Sequence, residues 1–308
     1  MKITYNILWI EDELSWYDTT LELFKSALEE VGFELVSERK DNIQQIQDLI
    51  GVDGLKKFDM LLVDFTLKNS EHGDKIIKLI RNNNIYTDVL FYSSAVENIK
   101  QSISRHGLEG VYTADRKDIE SKFQSVFLTT IKKMQEVNAI RGLIMGETSD
   151  LDVEIKKIYH LIIELPFGEE LQSKIKNIFV VDYKEIKKNY IKQCKDKRNC
   201  YTSDYKRYFS LSDSFRRYDI LKEILKLKSF KGFDLELFKQ YKSEVIEIRN
   251  KFAHAQAEEK DGKTLLKGQL GKEDFEFDEA RCIEIRKKLI LHKNNIDKLV
   301  NMLSKNNM

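Results

Sequence analysis

Three short runs of uninterrupted apolar residues constrain this chain most: Ile7-Leu8-Trp9-Ile10, Met60-Leu61-Leu62-Val63 and Val89-Leu90-Phe91-Tyr92. A strand with one wetted face alternates polar and apolar residues. A strand that is apolar throughout must be covered on both faces, as in a parallel sheet flanked by helices. The segments between the runs have helical spacing. Leu21, Phe24, Leu28 and Val31 recur at three and four residues and are closed by Gly32; Ile43 to Leu55, Asp74 to Asn82 and Ile99 to His106 also read as helix. Phe33-Glu34-Leu35-Val36 alternates like a strand, and Val111-Tyr112 completes a set of five. Five strand–helix alternations within roughly 130 residues predict an α/β unit built on a doubly wound parallel sheet.

Ligands of such a sheet bind beyond the carboxyl ends of its strands. Glu11 and Asp12 follow the first strand, Asp64 the third, and Ser93 and Ser94 the fourth. Three carboxylates meeting there repel one another unless a cation such as Mg²⁺ neutralises them. A carboxylate so placed can also act as a nucleophile toward a phosphoryl group.

Over roughly residues 3–130 the arrangement resembles the receiver domain of two-component response regulators. The resemblance implies that Glu11 and Asp12, within Ile-Glu-Asp-Glu, hold Mg²⁺ together with Asp64. It makes Asp64, at the end of Phe-Asp-Met-Leu-Leu-Val-Asp, the phosphoacceptor and Ser93 the switch hydroxyl. It also implies a histidine kinase or another regulatory protein as partner. The chain departs from the receiver pattern after the fifth strand. Ala114 stands where receivers carry a lysine, and no proline follows. Arg116 and Lys117 are the nearest cations, each placed so that the loop has to bend to bring it in. The missing cation weakens stabilisation of an added phosphoryl charge. Two readings stay open: a phosphorylated switch, or a fold kept as a docking surface with an acidic remnant.

The net charge of +1 hides an asymmetry. Residues 1–120 carry 14 Lys and Arg against 22 Asp and Glu, leaving 52 − 14 = 38 basic and 51 − 22 = 29 acidic residues for the rest. An acidic front and a basic back suggest two modules with different partners. The back half reads as helical, and Pro166 is the single proline that could break it. Ile119, Phe123, Phe127, Ile131 and Met134 mark one helix face. Gly142 and Gly146 predict a break, with Ser149 and Asp150 capping a new helix through Ile155, Ile158 and Leu161.

Residues 181–230 hold 14 basic against 7 acidic residues. Lys187, Lys188, Lys192, Arg198, Lys206, Arg207, Arg216 and Arg217 lie among tyrosines there. That combination suits RNA, because cations hold phosphates and aromatic faces stack on unpaired bases. A solvated basic face over tyrosines packed in a helical core has the same composition.

A further helix is predicted from Asp234 to Ala257, with Leu235, Phe238, Tyr241, Val245 and Ile248 on its apolar face. It carries Arg249-Asn250-Lys251-Phe252-Ala253-His254. Asn250 and His254 are about 40° apart around a helix, whereas Arg249 and His254 are about 140° apart. One copy is thus an incomplete site, and two copies can complete it. Thr264-Leu265-Leu266 and Phe275-Glu276-Phe277 predict a hairpin, and a last helix begins at Asp278.

The helical region bearing Arg-Asn-x-x-x-His, over roughly residues 150–305, is similar to the HEPN family. Many members of that family are dimeric, metal-independent endoribonucleases acting as toxins or defence effectors. The similarity implies catalytic roles for Arg249, Asn250 and His254, a homodimer, and RNA as substrate. It implies no cofactor at that site. The alternative is a signalling adaptor whose receiver-like unit binds a partner and whose helical unit dimerises or binds RNA without cutting it. No compact helix-turn-helix with a basic recognition helix is visible, which argues against a DNA-binding regulator.

The expected organisation is therefore a receiver-like domain at 1–135, a helical connector at 136–150 and a HEPN-like bundle at 151–308. No run approaches the ~18 apolar residues of a membrane span. Cys194, Cys200 and Cys282 are an odd number without CxxC spacing, which argues against a disulfide framework and a zinc site, and the amino terminus lacks secretory architecture. A cytoplasmic protein is the expectation.

Overall fold

The computed structural model describes residues 3–67, 72–134, 137–165, 167–178, 212–228, 230–254, 256–260, 263–267 and 275–305. The backbone divides into two compact units, Lys2–Ile140 with Cys282–Lys287, and Arg141–Arg281 with Lys288–Met308.

In the first unit, strands and helices alternate as the apolar runs require: β1 (Thr4–Ile10), α1 (Leu14–Glu30), β2 (Glu34–Lys40), α2 (Ile43–Gly51), β3 (Met60–Asp64), α3 (Gly73–Asn82), β4 (Asp88–Ser93), α4 (Val96–His106), β5 (Val111–Asp115) and α5 (Ile119–Met134). The helix predicted to reach Leu55 stops at Gly51, and a separate 3₁₀ turn covers Gly54–Lys57. All five strands are parallel in the order β2-β1-β3-β4-β5, with Ile10 beside Val63, Val63 beside Phe91 and Phe91 beside Thr113.

Each central strand is buried on both faces because its residues alternate between two cores. Trp9, Leu62 and Tyr92 pack toward Phe24 of α1 and Phe123 and Phe127 of α5. Leu8, Leu61 and Phe91 pack the other way, toward Ile76, Ile77 and Ile80 of α3 and Ile99 of α4. Ring stacking joins layers on the first face, with Trp9–Phe24 centroids at 5.0 Å and Phe24–Phe123 at 4.0 Å. Residues 282–287 pack with this unit through Arg286, which is fully buried and donates from Nε to the Val31 carbonyl at 3.0 Å. The turn beneath it needs Gly32, at φ +76, because a Cβ there would meet Cβ of Arg286 at 2.8 Å.

The second unit holds most of α6 (Val137–Glu164), then α7 (Ser214–Leu227), α8 (Leu235–Tyr241), a π-turn (Lys242–Ile246), α9 (Glu247–His254), strands β6 (Gln256–Lys260), β7 (Lys263–Lys267) and β8 (Phe275–Phe277), and most of α10 (Glu279–Lys305). The break predicted near Gly142 and Gly146 does not occur, and α6 runs through both. Each glycine costs about 1 kcal/mol in a helix. The buried stripe of Ile140, Leu143, Ile144, Leu151, Ile155, Ile158 and Ile162 is continuous across them and outweighs that cost. Ser149 and Asp150 do not cap a new helix, since both lie inside α6; the Thr148 and Ser149 hydroxyls bond back to the carbonyls of Ile144 and Met145 at 2.7 and 2.8 Å.

The single helix predicted over Asp234–Ala257 is instead α8, the π-turn and α9. It ends at His254, and Ala257 lies in β6. The predicted pairing of 264–266 with 275–277 is present as β7 against β8, antiparallel, with β6 added on the other side of β7. Gln-Ala-Glu-Glu-Lys has low strand propensity, so β6 depends on its partner strand for its conformation.

Gly73 is the tightest backbone approach in the first unit, since a Cβ there would lie 2.1 Å from the Asp64 carbonyl oxygen. Gly73→Ala is expected to lower stability by roughly 1–3 kcal/mol or more, as overpacking does. Urea unfolding followed by circular dichroism measures it, and an unchanged midpoint would remove Gly73 as a constraint on the pocket.

Candidate functional site

The strand ends of the first unit assemble one polar pocket. Glu11 follows β1 and is fully buried, Asp64 ends β3 and is 5% exposed, and Asp12 is half-buried beside Glu11 in the chain. One carboxylate oxygen from each of the three lies within 4.8 Å of the others. This all-oxygen, anionic donor set suits a hard divalent cation such as Mg²⁺.

Glu11 is held on every side. Its Oε2 accepts from the Tyr92 hydroxyl at 2.8 Å and from Arg116 Nη2 at 2.9 Å, and its Oε1 accepts from the Glu13 amide at 2.8 Å. Trp9 Nε1 donates in turn to the Tyr92 oxygen at 2.7 Å. Burial raises the Tyr92 hydroxyl well above its ordinary pKa, and the Glu11 charge raises it further, so Tyr92 stays protonated as a donor. Burial pushes the Asp64 carboxyl up to about 7; the Glu11 charge adds to this, Arg116 and the Thr66 amide oppose it, and Asp12 adds a little more. Ser93 is buried at the end of β4, and its Oγ accepts from the Ala95 amide at 3.1 Å.

Arg116 reaches this pocket from the turn that follows β5. Its amide donates to the Ser93 carbonyl at 3.1 Å, which carries the β4–β5 pairing one residue beyond β5. Ala114 is packed in the core, and the cation comes from the turn just beyond the carboxyl end of β5. Arg116 Nη2 is 3.5 Å from Asp64 Oδ2, Nη1 is 3.0 Å from Glu13 Oε2, and Cζ lies 4.3 Å from the Trp16 ring centroid.

A second polar cluster forms in the second unit around the Asp152 carboxylate of α6. Asp152 Oδ2 accepts from Ser214 Oγ at 2.5 Å and from Arg217 Nη2 at 3.0 Å. Arg217 also donates to the Ser212 carbonyl. Arg249 of α9 donates from Nη1 to Ser214 Oγ at 3.0 Å and from Nη2 to Asn250 Oδ1 at 3.0 Å, and it lies 3.9 Å from Asp152. Arg249 and Asn250 are thus in contact, with Arg249 half-buried. His254 is the last residue of α9, and its side chain is outside the described residues.

Arg217, expected on an RNA-binding face, is buried and tied to Asp152, so its guanidinium is not offered to solvent. Arg216 is half-exposed on α7. Lys187, Lys188, Lys192, Arg198, Lys206 and Arg207 lie outside the described residues. Asp152 and Ser214 are functional candidates that no local motif marks, because they come from helices 62 residues apart in sequence.

The π-turn before α9 is pinned from α10. Buried His292 pairs with Glu244 at 2.9 Å, and Lys288 lies 3.3 Å from the other Glu244 oxygen. Desolvation lowers the His292 pKa, against the opposing pull of Glu244.

No protein-family model matches the chain, and comparison with curated proteins finds no match. Among the described residues, no helix is long and apolar enough to cross a membrane.

Asp64 has a folded-state pKa of about 7 against an ordinary 3.8, so its contribution to stability is complete below about pH 4 and is lost as pH rises through 7. The linked free energy is at most on the order of 4 kcal/mol. In chelator, wild type is expected to lose stability relative to Asp64→Asn between pH 4 and 7; parallel curves for the two proteins would refute this. Asp152→Ala leaves the Arg217 charge buried without its carboxylate. It is expected to destabilise the protein by roughly 3–5 kcal/mol, with Asp152→Asn milder, as read by denaturant unfolding.

Proposed function

We propose that this chain is a dimeric, metal-independent endoribonuclease effector of the HEPN type, of the toxin or defence kind, governed by a receiver-like unit. The observation that carries this reading is the anchoring of Arg249. Asn250 and Ser214 fix its guanidinium, with Asp152 behind them, on the helix that ends in His254. A planar fork held in one orientation is a phosphate-binding group with little left to organise.

In the proposed reaction the 2′-oxygen of a ribose bonds to the adjacent phosphorus and the bond to the 5′-oxygen breaks. The products are a 2′,3′-cyclic phosphate end and a 5′-hydroxyl end. His254 takes the 2′-hydroxyl proton in one copy, and His254 of a second copy protonates the leaving oxygen. Arg249 stabilises the charge that develops on the phosphoryl oxygens, and Asn250 orients Arg249. The basic residues of 181–230 supply RNA contacts. In the receiver-like unit, Glu11, Asp12 and Asp64 hold Mg²⁺, Asp64 accepts a phosphoryl group from a histidine kinase or a similar donor, and Ser93 is the switch hydroxyl. A reducing, cytoplasmic setting fits three cysteines without CxxC spacing.

One observation favours the alternative of a non-catalytic adaptor: the Asp152 carboxylate beside Arg249 reduces the positive field available to a phosphate. Cleavage of single-stranded RNA by the full chain, in the presence of chelator, separates the two. His254→Ala and Arg249→Ala are each expected to lower the rate by at least 100-fold, with cyclic phosphate ends in the wild-type products. Equal cleavage by all three proteins, or RNA binding without cleavage by wild type, would reject the catalytic reading.

A further inference from the structure

Arg116 has a property that the receiver-like reading does not contain. We propose that Arg116 is a resident counter-cation of the acidic pocket, competing with a divalent metal ion for Glu11 and Asp64. The inference rests on the reading that Glu11, Asp12 and Asp64 can hold such an ion.

The hydrogen bonds around Glu11 decide which partner gives way. Both of its oxygens are already engaged, Oε1 by the Glu13 amide and Oε2 by Tyr92 and Arg116. Oε2 already accepts two hydrogen bonds, so a metal ion that takes this oxygen must displace one donor. The Glu13 amide is fixed by the backbone at the start of α1, where the Glu13 carbonyl accepts from the Tyr17 amide at 3.0 Å. Tyr92 is fully buried, packed against Trp16 and held by Trp9. Arg116 is 24% exposed and is the donor with a path to solvent.

Its alternative position already exists in outline. Glu13, itself half-exposed at 52%, pairs with Nη1 on the outer side, and the Trp16 face holds the guanidinium by a cation–π contact. A swing about the side chain can therefore release Glu11 and Asp64 while keeping the Glu13 pairing and shifting the guanidinium relative to the Trp16 ring. The ion brings two positive charges to the three carboxylates where Arg116 brings one, so exchange becomes favourable only at sufficient metal concentration. Arg116 thereby sets a threshold for metal occupancy. The interior position of Ala114 has no such effect, because a methyl group there neither neutralises the pocket nor blocks it.

Trp9 and Trp16 are the two tryptophans of the chain, and both adjoin this pocket. The test is titration of the full chain with Mg²⁺ alone, followed by calorimetry and by intrinsic fluorescence, for wild type, Arg116→Gln and Trp16→Phe. Arg116→Gln is expected to bind Mg²⁺ at least tenfold more tightly than wild type. Wild-type emission is expected to change on saturation, with the change largely lost in Trp16→Phe. Equal or weaker binding by Arg116→Gln overturns the proposal while leaving the metal site intact. Absence of binding in both proteins overturns it together with the metal-site reading. Because Arg116→Gln can be compromised in folding by unbalanced carboxylates, the wild-type signal stands as a separate check: Mg²⁺ binding with no change in emission also overturns the proposal.

Discussion

The Glu11 carboxylate is the constraint on which the first unit turns. A charge with no solvent exposure costs several kcal/mol unless paired and hydrogen-bonded, and here the compensation comes from three separate elements. The Tyr92 hydroxyl arrives from β4, the Glu13 amide from the start of α1, and Arg116 from just beyond β5. The Glu13 bond is local, but Tyr92 and Arg116 reach Glu11 through the observed strand order and register. The polar pocket and the apolar sheet therefore specify the same topology, and a slip in either would strand a buried charge.

The second unit repeats the logic with different parts. Asp152 is the carboxylate, and Arg217, Ser214 and Arg249 surround it from α7 and α9. Arg217 provides the buried counter-charge, which leaves Arg249 less committed and still tied to Asn250. The division of labour between two arginines separates holding the unit together from presenting a cation. A charged residue in a basic stretch is thus not by that fact a surface group.

The π-turn gives α9 its bearing. An extra residue in one helical turn rotates everything after it relative to α8, so the faces presented by Arg249 and Asn250 depend on Lys242–Ile246. Glu244 within that turn is held by buried His292 and by Lys288, which gives the irregular geometry a partner on α10. Helical-wheel angles within Arg249–His254 survive this, because the whole motif lies after the turn. Angles measured from Leu235 or Phe238 do not.

The chain's sequence by itself determined the alternating strands and helices of the first unit, since fully apolar runs such as Met60–Val63 have no stable place except a sheet covered on both faces. It also determined which carboxylates stand at the strand ends, and it brought Arg249, Asn250 and His254 within two turns of a helix. Continuity of α6 through Gly142 and Gly146, the π-turn and β6 were decided by tertiary structure, because long-range burial and strand pairing there outweigh weak local preferences. So were the burial of Arg217 and the arrival of Asp152 and Ser214 beside Arg249. Arg116 shows the distinction most clearly. Its position two residues beyond Ala114 was readable, but the extra β4–β5 hydrogen bond that carries it to Glu11 is a property of the paired strands, not of the segment alone.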